Sequence, residues 1–211
     1  MEQLQSLLRA YNIEHINDNL LAPWNRQFCD ARFPKYWEIV FSILQTKDRN
    51  SRVIEVGSGL GAITSILCFL NYAHITSFEK DVELANCAEQ RIKEMFHREN
   101  IVLPVEYPGE KTYNSDILIL VNCAYAMNTS TKLDYLSKLR VFFECAGNPH
   151  SFILEVIDDS YSQLNDEFPM HIRLNRKDIY ETFPNTLIKS WVSYKYPINE
   201  KSKTLYLIER L

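Results

Sequence analysis

The apolar pattern of this chain changes period near residue 50. Before it, Leu4, Leu7 and Leu8 fall at one helical spacing, and Tyr36, Ile39, Val40 and Ile43 at another, the repeat of amphipathic helices. Pro34 suits the first turn of the second helix, where a missing N–H leaves no bond unmade. The polar-then-aromatic stretch 17–25 between them, which includes Trp24, reads as a connector, so residues 1–50 are expected to form an N-terminal helical cap. From residue 53 onward β-branched runs alternate with helical stretches, predicting strands at 53–57, 74–79, 101–106, 116–121 and 152–157 and helices at 60–72, 82–97 and 131–146. The run Ile117-Leu118-Ile119-Leu120-Val121 is apolar without alternation, as a strand covered on both faces requires. After a short helix near 176–182, two strand-like runs, 188–196 and 204–208, flank a turn around Pro197. So short a link makes them antiparallel. The whole order predicts an α/β fold with a mostly parallel sheet and an antiparallel C-terminal hairpin.

A chain of 211 residues suffices for one domain with a full core, or for one with a small appendage. Its 46% hydrophobic and 24% charged residues are ordinary for a globular protein. A formal net charge of −4 supplies no general field to gather a polyanion, which weighs against a nucleic-acid partner. The five cysteines are scattered and odd in number, with no C-x-x-C, which suits a reducing cytoplasm better than a disulfide framework or zinc site. Met1 to Ser6 has neither the basic nor the apolar part of a leader, and no apolar run reaches membrane-spanning length. A cytoplasmic protein without a membrane partner is therefore expected. Arg91, Lys93, Glu94, Arg98 and Glu99 read as a solvated helix face.

Chemistry concentrates where glycine does. Three of the five glycines lie in Val53-Ile54-Glu55-Val56-Gly57-Ser58-Gly59-Leu60-Gly61, where a strand-like run meets a helix start. Without a Cβ, such a loop can take positive φ and bring its backbone against a ligand. Glu79 follows Gly57 by 22 residues, at the end of the next strand-like run, where a βαβ unit brings a carboxylate to a ribose. Gly57, Gly59 and Ala62 also satisfy the dinucleotide pattern G-x-G-x-x-G/A. Glu55, two residues before the first glycine, and the third glycine at 61 fit a different pattern. Together they resemble motif I of the class I S-adenosylmethionine-dependent methyltransferases.

That resemblance covers most of residues 51–211 and implies a Rossmann-like, doubly wound, mostly parallel seven-stranded sheet, with S-adenosylmethionine as cofactor and a small-molecule acceptor. It implies that the loop Gly57, Ser58, Gly59 and Gly61 meets the methionine part of the cofactor. Glu55 would help hold its ammonium group, Glu79 its ribose and Glu106 its adenine amine, with Lys80 beside Glu79 also among the cofactor-binding residues. Asn122 would border the cofactor and Tyr125 the substrate. The spacing Asn122-Cys123-Ala124-Tyr125 also partly resembles the Asn-Pro-Pro-Tyr motif of adenine N-methyltransferases, but lacks the prolines. Three readings follow: methylation of a metabolite's oxygen or nitrogen, methylation of an amine in nucleic acid, or cofactor binding without turnover.

Candidates beyond the motif carry weaker signals. Tyr125 is either a substrate contact or a helix-start aromatic in the core. His171 is a candidate base near the rim of the sheet. Glu155 precedes Asp158 and Asp159, which are either a base or metal pair or the N-cap of a following helix; the capping reading is preferred and no metal is expected. Tyr11, Trp24, Phe28, Phe33, Tyr36 and Trp37 either close over an acceptor or pack the cap, with Trp24 the one expected to face the pocket.

Overall fold

The computed structural model describes residues 1–15, 34–109, 111–161, 168–195 and 202–211. Trp24, Phe28 and Phe33 lie outside them. The chain divides into two compact units, one formed by residues 1–51 and 58–106 and the other by 52–57 and 107–211.

In the first unit, α1 (Glu2–His15) and α2 (Lys35–Gln45) pack with α3 (Ala62–Phe69), and α3 also meets α4 (Val82–Phe96) and β2 (His74–Phe78). Leu4 and Leu8 of α1 are fully buried while Leu7 is exposed, and Tyr36, Trp37, Ile39, Val40 and Ile43 of α2 are core residues. Tyr36 and Trp37 thus pack the core. Asp81 caps α4 by accepting from the amides of Glu83 and Leu84 at 3.0 and 3.1 Å, and His97 ends it in the left-handed conformation. Strand β3 (Val102–Leu103) pairs with β2 in parallel but is far shorter than the 101–106 predicted. Pro104 has no amide proton to continue the ladder, and the chain bends there. The charged face of α4 needs another correction. Arg91 is only 1% exposed, because Asn12 of α1 accepts from its guanidinium and the Tyr11 ring lies 5.7 Å away. Lys93 and Glu99 do form an exposed pair.

In the second unit, β1 (Arg52–Val56), β4 (Ile117–Leu120) and β5 (Ser151–Asp158) run parallel, with Glu55 in register with Ile119 and Ile119 with Ile153. All four residues of β4 are buried, as its unbroken apolar run requires, and so are all eight of β5, Ser151, Glu155 and Asp158 included. Thr131 caps α5 (Lys132–Cys145), and a capping box of Asn175 and Asp178 starts α6 (Arg176–Thr182). Strands β7 (Thr186–Tyr194) and β8 (Lys203–Arg210) form the antiparallel hairpin, with β8 inserted against β5.

The hydrogen-bonded strand order is β3-β2-β1-β4-β5-β8-β7, a mostly parallel α/β sheet closed as the sequence order predicts. An eighth strand, the two-residue β6 (Arg173–Leu174), pairs with β5 off this path. It is too short to leave a periodic signal. The cap expected at Asp158 and Asp159 would open on residues 162–167, which lie outside the described ones. Asp158 ends β5 and accepts from the Ser160 amide and hydroxyl and from the Thr204 hydroxyl of β8, and Asp159 accepts from the Asn175 side chain.

Candidate functional site

The glycine turn builds its own geometry. In the first unit the Gly61 amide donates to the Ser58 carbonyl at 2.8 Å, and the Ser58 amide donates to the Phe78 carbonyl at the end of β2 at 3.1 Å. Glu79 then closes on the loop: its carboxylate accepts from the Gly59 amide at 2.7 Å and from the Asp81 amide at 3.0 Å. Glu79, expected at the cofactor's ribose, thus makes a direct hydrogen bond to the glycine loop. Gly61 has φ +74°, and a Cβ there would sit 3.0 Å from Ala88 of α4, whereas a Cβ on Gly59, with φ +53°, would meet nothing within 4 Å. The Ser58 hydroxyl is buried and has no hydrogen-bond partner among the described residues. An open face over Gly59 beside an unsatisfied hydroxyl fits a loop that receives a polar ligand. Lys80 is exposed next to Glu79. Glu106 is exposed too, three residues beyond the end of β3 rather than on it.

The second unit supplies Glu55 and Gly57. Glu55 is buried in β1. Gly57 has φ +70°, and a Cβ there would fall 2.5 Å from the Cβ of Cys123, whose thiol donates to the Val56 carbonyl at 3.0 Å. The residues after β4 gather a cluster around Asn122, itself at φ +59°. Its amide donates to Glu155 at 3.1 Å, and its side-chain oxygen accepts from both the Tyr125 hydroxyl and the Lys203 ammonium, each at 2.9 Å. Tyr125 lies in a 3-10 turn, Ala124–Ala126, with its ring 4.5 Å from the Lys203 nitrogen and edge-to-face with Phe168. Phe168 is held in turn: Arg173 donates to its carbonyl and to that of Tyr161, whose ring the guanidinium covers at 4.9 Å. Burial raises the Glu155 carboxyl above the usual carboxylate range, with the Lys203 ammonium, the Ser193 hydroxyl and the Asn122 amide pulling it back.

His171 is half-buried in the 3-10 turn Met170–Ile172, with no hydrogen bond to the Asn122 cluster among the described residues. Lys203, Phe168 and Tyr194 carry no motif, and sequence reasoning did not single them out; Cys123 entered it only as a spacer between Asn122 and Tyr125. The one weak signal for Lys203 is a cation heading the apolar run 204–208. Among the described residues no group of three or more His, Cys, Asp or Glu could hold a metal, and no helix is long and apolar enough to cross a membrane.

Solved structures share this architecture. Magnesium protoporphyrin IX methyltransferase from Synechocystis PCC 6803, with bound SAH, superposes at a TM-score of 0.63 and 13% identity over 98% of this chain and 99% of that one. The plantazolicin methyltransferase BpumL, in complex with a triazolic desmethylPZN analog and SAH, superposes at 0.60 with 12% identity over 100% and 98%. The methyltransferase domain of bacterial CtHen1-C superposes at 0.58 with 14% identity over 84% and 98%. The fold is therefore the Rossmann-like fold of these methyltransferase structures. No protein-family model and no curated protein matches the chain.

Proposed function

We propose that this chain is an S-adenosylmethionine-dependent methyltransferase acting on the oxygen or nitrogen of a small metabolite or biosynthetic intermediate. The observation that carries the reading is the glycine turn whose Gly59 amide is clasped by Glu79, with an open face above Gly59 and the unsatisfied Ser58 hydroxyl beside it. Fold neighbours solved with bound SAM or SAH support it. In this reading Gly57, Ser58, Gly59 and Gly61 take the methionine part, Glu55 the ammonium, Glu79 and Lys80 the ribose end and Glu106 the adenine amine. Asn122 borders the cofactor and Tyr125 the acceptor. The bound sulfonium supplies an electrophilic methyl group. The protein's own task is to orient the acceptor and exclude water. The scattered cysteines favour a cytoplasmic setting.

Calorimetric titration with S-adenosylmethionine, NAD and NADP tests the reading. Binding of the first alone, lost in Gly59→Arg, is expected; binding of a nicotinamide cofactor alone would instead make Gly57, Gly59 and Ala62 a dinucleotide fingerprint. Methylation of an amine in nucleic acid is a second reading, favoured by the Asn122-to-Tyr125 spacing. It predicts activity on RNA or DNA that falls steeply with salt.

A further inference from the structure

Neighbours fix which end of the Asn122 carboxamide points where. The residue lies two positions past β4, at the carboxyl edge where such sheets bind their ligands. Its backbone is left-handed, φ +59°, a conformation open to asparagine more than to most residues, and its amide donates to Glu155 at 3.1 Å. One end of the carboxamide meets the Lys203 ammonium and the Tyr125 hydroxyl, each at 2.9 Å. An ammonium can only donate, so the atom facing it is the oxygen; the flipped amide would set an NH2 group against a second donor. Further partners of Lys203 leave this unchanged, since each of them must itself accept. The oxygen's two lone pairs are then both in use. The NH2 end is turned away, makes no hydrogen bond among the described residues, and is not one of the buried unpaired polar atoms, so on this half-buried residue it faces solvent.

We propose that Asn122 is a specificity residue that donates a side-chain N–H to the reacting atom of the acceptor and thereby selects oxygen over nitrogen; this rests on the methyltransferase reading above. The reacting atom must aim one lone pair at the methyl carbon. An amine or ring nitrogen then has no second lone pair to accept from Asn122, and an amine's own N–H groups would face another donor. A phenolate or carboxylate oxygen has lone pairs to spare. With one pair it forms the C–O bond as the sulfonium C–S bond breaks and the electron pair goes to sulfur, and with another it accepts from Asn122. An acceptor that arrives as the anion brings no proton to remove. The spacing from Asn122 to Tyr125 is therefore a poor guide to an amine substrate. An exocyclic amine needs the side-chain oxygen, which Lys203 and Tyr125 already hold.

The test incubates the full chain and S-adenosylmethionine with 4-aminophenol and with 4-aminobenzoate, each of which offers an oxygen and an amine on one ring, and identifies the products by mass spectrometry and NMR. Wild type is expected to give the O-methyl product of at least one compound in excess over its N-methyl product. The two compounds separate the phenolate and carboxylate sources. Asn122→Asp keeps the side chain's size and an oxygen for Lys203 and Tyr125 but replaces the outward NH2 with an acceptor. It should shift the product ratio toward N-methylation by about tenfold or more. That ratio is internal to one compound and does not depend on how much enzyme is folded. N-methyl product as abundant as O-methyl in wild type, no O-methyl product from either compound, or an unchanged ratio in Asn122→Asp would each overturn the proposal. The wild-type arm decides alone if the variant fails to fold. If titration shows that wild type does not bind S-adenosylmethionine, the methyltransferase reading falls and this inference with it; if the cofactor binds and the product arms fail, only the inference falls.

Discussion

Two glycines of one loop should respond to alanine in opposite ways. Gly57 and Gly59 both have positive φ, +70° and +53°, a conformation that costs an L-residue about 1–2 kcal/mol. At Gly57 a new Cβ would sit 2.5 Å from the Cβ of Cys123 and 3.0 Å from its sulfur, inside any tolerated contact. Overpacking of that kind adds about 1–3 kcal/mol, so Gly57→Ala should cost about 2–5 kcal/mol in all. At Gly59 nothing lies within 4 Å, so Gly59→Ala should lose only the conformational part. For a chain of this size the two losses correspond to melting shifts on the order of 10 °C and 4 °C respectively. Cofactor affinity should show the reverse pattern relative to stability, because the Gly59 methyl enters open space that a ligand would take, weakening binding by about tenfold. Thermal melts and calorimetry of the two variants measure both quantities. Adding Cys123→Gly to Gly57→Ala should return part of the lost stability, a favourable coupling of about 0.5–3 kcal/mol. Equal melting shifts for the two single variants, or no coupling with position 123, would refute the steric argument.

Glu79→Gln keeps the side chain's shape but removes the charge behind the bond to Gly59, and should weaken S-adenosylmethionine by about 1–2 kcal/mol, read by titration. Glu155 has a folded-state pKa raised by burial. The folded protein therefore holds this proton more tightly than the unfolded chain, and the group's stabilisation is full below the usual carboxylate range and lost as pH rises through the raised value. Urea denaturation across pH should show that loss in the wild type and a flatter profile in Glu155→Gln. Asn12→Ala removes one acceptor of the buried Arg91 guanidinium and should cost about 1–2 kcal/mol in chemical denaturation; an effect no larger than that of an exposed α1 substitution such as Leu7→Ala would mean that α1 does not anchor α4.

What could be read from the sequence was local. The strand, glycine turn and helix from 53 onward, the apolar run of β4 and the strand near 152–157 each carry their signal within a few residues, and each is found close to where it was expected. Glu79 was singled out because one βαβ unit places it at the end of the second strand, but its bond to the Gly59 amide, 20 residues away, was not foreseen. Lys203 was not readable. It reaches Asn122 across 81 residues, through the register of an antiparallel strand whose start was predicted one residue late. Arg91 misled for a related reason, since its spacing on α4 gives no sign that α1 covers it. The shortened β3 had a visible cause in Pro104, but β6 had none.

This difference bears on function as well as on prediction. The loop proposed to hold the cofactor is set by backbone conformation and by glycines that the chain itself enforces at 57 and 61, so a short motif can announce it. The cluster proposed to meet the acceptor is assembled from the end of β4, a buried acid of β5, Phe168 held in place by Arg173, and the facing residues Tyr194 and Lys203 of the hairpin. None of these positions is constrained by its neighbours in sequence, and one scaffold can change acceptor by changing any of them.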